Sequence, residues 1–466
     1  MNSKLPQEIA SDSSHAESVR KFSRALRALT AVAPVFYAAG VIAVLFHLSL
    51  EAASVLRWAS LVCVVPVAVR RRSLLLWTFL AMIAGAELGV DAPHFAEQTR
   101  FLGDIFLRLI RMIVAPLIFG GLVTGIAGHG ELRGVGRVAL KAVIFFEVVT
   151  TLGIFLGAIA INLSGAGWGV TLPAAAQAAS ATAHVQPGWQ NVLLNAFPEN
   201  IAQAVAQNQV LQVAVFALLF GVALALLPEP RRKPLVTVLQ SLTDVMFRMT
   251  KIVMLMAPVA AGAALAYAVG CMGLATLVPL AKLAGTYYVA LAIFVLLVLA
   301  PILLLARVPV GRFSAAVGEP AAIGFATTTS EAALPLAMER MEEFGVPRWI
   351  VSFVIPTGYS FNMTGSSLYL SMAAIFAAQA AGMHLTVSEQ LIMVFTLMLT
   401  SKGVAGVPRS VLVILMGTAA SFHIPTTAIM LLLGIDTLLD MGRTAMNVIG
   451  NCMAAAVVAR WEEGWG

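Results

Sequence analysis

The stretch DTLLDMGRTAMNVIGN, residues 436–451, decides the fold because it places five polar side chains inside the last long apolar stretch of the chain. Asp436, Asp440, Arg443, Asn447 and Asn451 are spaced 4, 3, 4 and 4 residues apart. At about 100° per residue of an α-helix, they share a sector of roughly 80°. Such a one-sided stripe predicts a membrane helix whose polar face meets protein or water, because a charge that faces lipid is costly.

The stripe allows two interpretations. Asp440 and Arg443 are close enough along a helix to form an internal salt bridge that holds neighbouring helices together. However, two aspartates accompany a single arginine, so the charges do not balance. A guanidinium binds a carboxylate through two parallel hydrogen bonds, and an aspartate suits an ammonium group. The pattern therefore favours a binding site for an amino acid that carries a second carboxylate.

The composition predicts a polytopic α-helical membrane protein. The 466 residues are 60% hydrophobic and 11% charged, far below the roughly 25% charge of soluble domains. Apolar runs of about 20 residues recur, which is the length that spans a bilayer as a helix. Basic clusters such as 70–72, 133–141 and 231–233 separate these runs and are typical of cytoplasmic loops rather than nucleic-acid binding. Their alternation places both termini in the cytoplasm.

The chain divides into a tail at 1–30, an extra N-terminal hydrophobic region at 31–72, and a longer apolar remainder. Within the extra region, the run 52–69 contains Arg57 and is interpreted as either spanning or interfacial. The runs that follow predict spanning helices at about 73–90, 98–128, 134–163, 208–227, 236–269 and 273–306.

Two later apolar segments are interrupted by small hydroxyl residues: GFATTTSEAALP at 324–335 and LTSKGVAGVP at 399–408. Paired interruptions in two halves of a chain indicate the midplane binding site of a transporter. The alternative is that these small residues only allow close helix packing. A third break, TGYSFNMTGSS at 357–367, offers several side-chain oxygens to a cation but no carboxylate.

At these segments the sequence resembles the dicarboxylate/amino acid:cation symporter family over about residues 73–461. The wording SEAALP, PTGYSFN and SKGVAGVP is similar to the bacterial proton-coupled glutamate/aspartate branch. The motifs that carry the resemblance are FLRLIRMIVAPLIFGGLVTGIAG, LQVAVFALLFGVAL, TTTSEAALP, IPTGYSFNMTGSSLYL, TSKGVAGVP and DTLLDMGRTAMNVIGN.

The resemblance implies eight transmembrane helices, two re-entrant helical hairpins and a homotrimer in the cell (inner) membrane that works as an elevator. The hairpins would lie at about 312–345 and 387–424, with tips at 327–331 and 401–407. Residues 73–272 would form mainly the scaffold and trimerisation helices, apart from the 134–163 helix. That helix would belong with residues 273–466 to the transport domain.

The resemblance also assigns site residues, in which Arg443 holds the substrate's side-chain carboxylate and Asp440 its α-amino group. The full implied substrate set is Ser330, Ser366, Val404, Gly406, Asp440, Arg443 and Asn447. The cation-site region is Gly358, Ser360, Asn362, Thr364, Ser401, Asp436, Asn447 and Asn451.

Three departures from the family pattern bear on the coupling ion. Thr364 and Asn451 stand where sodium-coupled relatives carry acids, and Phe146 stands where they carry a tyrosine. Another cation carrier is then needed, and Glu147 and Glu331 are the proton-carrier candidates, since a low dielectric favours a protonated carboxyl. The alternative for Glu147 is a role in packing or at the lipid boundary, paired with Lys141 or another base.

The predicted function is import of L-glutamate or L-aspartate by proton symport, with no cofactor beyond the coupling ion and no metal centre. The alternatives are a C4-dicarboxylate symporter, a sodium-coupled amino-acid symporter and a gated anion channel. An enzyme is not expected, because no histidine base accompanies the hydroxyl residues of the broken segments.

Overall fold

The computed structural model describes residues 50–71, 73–127, 135–170, 194, 197–207, 209–400, 411–412, 414–416, 422 and 424–463. Within these ranges the chain is helical and contains no strand. The first helices are α1 (Leu50–Arg71), α2 (Leu74–Asp91), α3 (Pro93–Gln98), α4 (Arg100–Ala127), α5 (Val135–Ser164), α6 (Ile201–Ala206), α7 (Val210–Ala225), α8 (Glu229–Met254) and α9 (Ala257–Met272).

The second half of the chain contains shorter and more interrupted helices. They are α10 (Leu277–Phe294), α11 (Ala300–Leu305), α12 (Val310–Thr327), α13 (Ser330–Phe344), α14 (Arg348–Phe361), α15 (Thr364–Ala380), α16 (Val387–Thr400), α17 (Thr426–Leu433) and α18 (Asp436–Glu463). A π-helical turn, Val295–Leu299, joins α10 to α11 without a break.

Five stretches of the described chain are long and apolar enough to cross a membrane, and a sixth crossing results if the bent pair α8–α9 counts as one span. The five are Ala53–Arg71, Leu74–Asp91, Pro93–Thr124, Leu140–Ser164 and Leu274–Leu305. The run 52–69 is thus a complete helix of spanning length, despite Arg57 within it. The all-helical membrane class predicted from the composition is confirmed.

The single helix predicted at 236–269 is wrong, because the structure has two helices that meet at a 50° bend. The break falls at residues 255–256, directly before Pro258 in the first turn of α9. Proline lacks the N–H that would continue the helix, and its ring clashes with the preceding turn. The apolar pattern runs through this break and does not reveal it.

The helices pack into two groups. α2, α3, α4, α7, α8 and α9 pack on one another, and α5, α10, α12, α13, α14, α15 and α18 form the second set. Within the first group α9 lies along α2 at backbone contact, since a Cβ on Gly85 would lie 2.0 Å from the carbonyl oxygen of Gly262. Such close approach is possible only for glycine.

Helix α1 precedes both groups and is attached to α2 by a buried ion pair. Arg57 Nε lies 2.6 Å from Glu87 Oε2, and its Nη2 lies 2.8 Å from Asp91 Oδ1. The indole N–H of Trp58 donates to the other oxygen of Asp91 at 2.9 Å. Arg57 stands near the start of α1 and both acids near the end of α2, so the two helices are antiparallel.

The second group surrounds helix α18, which is buried from Ile435 to Ala459 save for a few half-buried positions. Its neighbours α12 and α13 are separated by a tight turn in which Thr328 adopts a left-handed conformation with φ of 55°. Helices α14 and α15 are likewise interrupted, at Asn362 and Met363. The polar stripe therefore lies among the broken segments of the chain.

Candidate functional site

A cavity of about 490 Å³ lies between the two helix groups. Helices α2 and α8 line one side, and the α12–α13 turn, α14, α15 and α18 line the other. It collects six of the residues that the sequence singled out: Ser330, Glu331, Ser366, Asp440, Arg443 and Asn447. Its volume falls within the range of pockets that bind small molecules.

Asp440 and Arg443 are in contact in the wall of this cavity, at 5% and 2% exposure. Arg443 Nε donates to Asp440 Oδ1 at 2.8 Å, and Nη2 donates to the same oxygen. Thr444 Oγ1 adds a third hydrogen bond to Oδ1 at 3.3 Å. All three bonds thus converge on one carboxylate oxygen, which leaves Oδ2 outside this set.

The salt bridge that the sequence allowed is therefore present, but it does not saturate the arginine. Arg443 Nη1 is buried and finds no hydrogen-bond partner within the described part of the chain. A buried donor without a partner costs free energy. The salt bridge thus uses two of the three guanidinium nitrogens and leaves the third unsatisfied by the described residues.

The guanidinium is packed against aromatic and acidic neighbours. Its central carbon lies 5.9 Å from the ring centre of Tyr369, which is fully buried on α15. Asp436 is also fully buried and acts electrostatically on Arg443. Two aspartates thus act on one arginine in space, as the sequence indicated, while the tyrosine ring provides a cation–π contact.

Asn447 joins the polar stripe to the start of α15. Its Nδ2 donates to Ser366 Oγ at 3.0 Å, and its Oδ1 accepts from the backbone N–H of Gly365 at 2.8 Å. The first N–H groups of a helix have no partner within the helix, so Asn447 satisfies one of them from outside. The predicted pair Ser366 and Asn447 is thereby brought together.

The cation-site region contains a network of amides and hydroxyls that satisfy one another. Asn362 Nδ2 donates to the carbonyl of Asn447 and to Asn451 Oδ1, both at 2.8 Å. Asn362 Oδ1 accepts from the Thr364 backbone N–H at 2.9 Å and from the Thr364 hydroxyl. These side chains are buried, and no cluster of three or more potential metal-ligating histidines, cysteines or acids occurs in the described residues.

Gly358 is required by the same network. A Cβ at this position would lie 2.4 Å from Asn451 Oδ1 and 2.9 Å from Phe146 Cζ. The ring of Phe146 and the amide of Asn451 thus both lie against Gly358. The predicted residues of the cation-site region that come together are Gly358, Asn362, Thr364, Asn447 and Asn451. Asp436 does not join them and acts on Arg443 instead.

Glu331 lies in the first turn of α13 and is contacted from two other helices. Lys251 on α8 forms an ion pair with it at 2.9 Å, and the hydroxyl of Tyr359 on α14 donates to it at 2.9 Å. Sequence reasoning missed Lys251, because 80 residues separate the partners. Only the packing of α8 against the cavity reveals the contact.

The remaining predicted residues lie elsewhere. Glu147 is half-buried on α5 and is not part of the cavity lining. Lys141, suggested as its partner, forms an ion pair with Glu462 at 2.6 Å. The following fall outside the described residues: Ser401, Val404, Gly406 and the side chain of Ser360.

Interrupted helices that enclose a cavity with a buried arginine–aspartate pair define a membrane transporter. The model of the sodium:dicarboxylate symporter family matches residues 74–461, and the chain belongs to that family. It is therefore a cation-coupled membrane transporter and not an enzyme. The resemblance given by the sequence motifs is confirmed.

Characterised relatives cover nearly the same span. The chain is 40% identical over 405 residues to the proton/glutamate-aspartate symporter of Escherichia coli (strain K12), covering 83% of this chain and 93% of the relative. It is 38% identical over 392 residues to a proton/glutamate-aspartate symporter of Bacillus subtilis (strain 168), covering 82% and 94%. It is 39% identical over 397 residues to a C4-dicarboxylate transport protein of Anaeromyxobacter sp. (strain K), covering 84% and 90%.

Proposed function

We propose that this protein imports L-glutamate or L-aspartate across the cell (inner) membrane by proton symport. The proposal rests on one observation: Arg443 and Asp440 lie in one cavity wall, and each has an atom that takes no part in the hydrogen bonds between them. Arg443 Nη1 has no partner in the described residues, and Asp440 receives its three hydrogen bonds on Oδ1 alone.

The substrate follows from the chemistry of the two groups. The side-chain carboxylate of an acidic amino acid would bind Arg443, whose Nη1 offers a charge-assisted donor. Its ammonium group would bind Asp440 Oδ2. The α-carboxylate would meet hydroxyl and amide donors from Ser330, Ser366 and Asn447, together with backbone amides at Val404 and Gly406.

The cation-site region favours a proton over sodium as the coupling ion. A bound metal cation needs several oxygens that are not engaged elsewhere. Here Asn362, Thr364 and Asn451 direct their polar atoms at one another, and a neutral amide or hydroxyl replaces each family acid. Glu331 and Glu147 are the carboxyls that would carry the proton.

The proposed architecture assigns the two helix groups to two domains. The group built on α2, α4, α8 and α9 would be the scaffold, and the group around α18, including α5, would be the moving transport domain. The finer arrangement proposed is eight transmembrane helices with two re-entrant hairpins in a lipid-embedded homotrimer. Both termini would lie in the cytoplasm.

A C4-dicarboxylate symporter is the second candidate, favoured by the names of relatives such as the Anaeromyxobacter protein. A dicarboxylate would present a second anion to Asp440 instead of an ammonium group. Asp440 would then have to be protonated or remain paired with Arg443 alone. A sodium-coupled amino-acid symporter is the third candidate.

The test uses purified protein in liposomes and labelled L-aspartate. We expect accumulation under an inside-alkaline pH gradient and little response to a sodium gradient imposed at equal pH. Strict sodium dependence without a pH response would contradict proton coupling. Competition by succinate as strong as that by unlabelled L-aspartate would instead favour the dicarboxylate candidate, and conduction that does not saturate would indicate a channel.

A further inference from the structure

An ion pair connects the two helix groups at the edge of the cavity. Lys251 stands near the end of α8, in the first group, and Glu331 stands in the first turn of α13, in the second. Their charged atoms are 2.9 Å apart, and both residues line the same cavity as Arg443. Any movement of one helix group along the other must separate them.

The carboxylate of Glu331 is surrounded by groups that stabilise its charge. Lys251 and Arg248 act on it from α8, and Tyr359 donates a hydrogen bond from α14. Of these, Tyr359 belongs to the same helix group as Glu331. When the groups move apart, Glu331 therefore keeps the hydroxyl but loses both cations.

The ion pair between Lys251 and Glu331 can break and re-form because water reaches both side chains. The side chain of Lys251 is 54% exposed and that of Glu331 is 44% exposed. Ion pairs that water reaches are weak, so this contact can break and re-form without a large barrier. By contrast, Arg340 bridges Glu319 and Glu343 between α12 and α13, inside one helix group, and movement between the groups leaves that pair intact.

We propose that Lys251 is a positioning residue for proton coupling: it keeps Glu331 ionised while the α12–α13 turn lies against α8, and frees it to bind a proton when the turn moves away. The proposal rests on the proton-symport function above and identifies where the proton would bind and what would release it.

The proton balance of the cycle is simple. When the turn leaves α8, the carboxylate loses both cations, which makes its charged form less stable and favours the neutral acid. It takes one proton from the solution on that side. When the turn returns, Lys251 favours the carboxylate again, and the same proton leaves to the other side. No other group gains or loses charge.

The experiment compares net uptake with exchange in liposomes for Lys251→Gln, with Lys233→Gln on the same helix as the matched control. Lys233 is exposed and far from the cavity. Net uptake driven by a pH gradient requires proton release in each cycle, whereas counterflow exchange of labelled for unlabelled L-aspartate does not. We expect Lys251→Gln to reduce net uptake about fivefold or more and to leave exchange within about twofold.

The pH profile gives the sign of the effect. Without Lys251, Glu331 holds its proton more tightly, so release needs a more alkaline lumen. The internal pH for half-maximal net uptake should rise by about one unit. Lys251→Arg should restore the wild-type profile, because the cation is retained.

A double variant tests the pairing itself. Glu331→Gln should reduce net uptake, and adding Lys251→Gln to it should cause no further loss, because one contact explains both effects. Additive losses, a Lys251→Gln profile identical to that of Lys233→Gln, or an equal loss of exchange and net uptake would each overturn the inference. If the wild-type protein shows no pH-driven uptake, the proposed function itself fails, which is a separate result.

Discussion

Two buried arginines among the described residues pair with acids, and they differ in whether the pairing satisfies all of their hydrogen-bonding groups. Arg57 is matched by Glu87 and Asp91, and Trp58 occupies the second oxygen of Asp91. Arg443 is bonded to one oxygen of Asp440, and its Nη1 lies without a partner among the described residues. Both arginines are thus buried and paired with an acid, but a hydrogen-bond donor of Arg443 lacks a partner among the described residues.

The comparison suggests a way to separate a structural ion pair from a binding pair. A structural pair satisfies its groups internally, because each buried group left alone costs free energy. A binding pair keeps donors and acceptors for a ligand and faces a cavity, and the cavity described above is lined by Arg443 and not by Arg57. Substitution of Arg57 should therefore lower stability, and substitution of Arg443 should lower transport.

The largest effect is expected for Arg443→Cys. Losing a charged donor pair to the substrate carboxylate removes at least about 3 kcal/mol of binding, which corresponds to roughly a 100-fold loss of L-aspartate uptake. The smaller neutral side chain should also admit neutral amino acids. Uptake of labelled L-aspartate and L-serine measures both, with Arg231→Cys, at an exposed position, as the control. Wild-type aspartate uptake would refute the assigned role.

The next effect is on stability and concerns Arg57→Met. Breaking a buried pair leaves Glu87 without its cation, at a cost of about 3 kcal/mol. We expect a lower melting temperature in detergent and an unchanged KM for L-aspartate. A second substitution, Glu87→Gln, should recover part of the stability, because it removes the uncompensated charge. A changed KM with an unchanged melting temperature would mean that Arg57 acts in substrate binding and not in stability.

Asp440→Asn should alter selectivity more than rate. The amide keeps the size of the side chain but removes the charge that attracts an ammonium group, worth about 1.5–3 kcal/mol for a charged hydrogen bond. The preference for L-aspartate over succinate should therefore fall roughly tenfold or more. Competition assays measure this ratio, and Asp244→Asn on the exposed face of α8 serves as the control. An unaltered ratio would exclude contact between Asp440 and the amino group.

The smallest effect is expected for Trp58→Phe. This change removes one hydrogen bond to a half-buried carboxylate, worth about 1 kcal/mol, and keeps the ring. The melting temperature should fall less than with Arg57→Met, and transport should be unaffected. A fall as large as that of Arg57→Met would mean that the indole, not the guanidinium, holds α1 in place.

The sequence predicted the polar stripe of α18 and the break at Asn362, because both are encoded locally by helical spacing and by small polar residues. Partners distant in the chain were not predictable. The sequence leaves the helix around Arg57 as either spanning or interfacial, since nothing in it shows that Glu87 and Asp91 lie beside this arginine. Lys251 was missed for the same reason. The sequence does not reveal the bend before Pro258, because the apolar pattern continues across it.

The attachment of α1 to α2 also has a consequence for the two sides of the membrane. The helices are antiparallel and each is long enough to cross, so if both cross, Leu50 and Asp91 lie on one face of the bilayer and the short link between them lies on the other. The family match starts at residue 74, and α1 lies ahead of it as an additional helix of spanning length. One added crossing would change the side of the membrane on which the chain begins before it enters the scaffold. The N-terminal tail and the α1–α2 link lie in the same compartment only if the chain crosses the membrane once more before Leu50. A reporter fused at the first residue shows on which side the tail lies, and therefore whether the extra region crosses the membrane an odd or an even number of times.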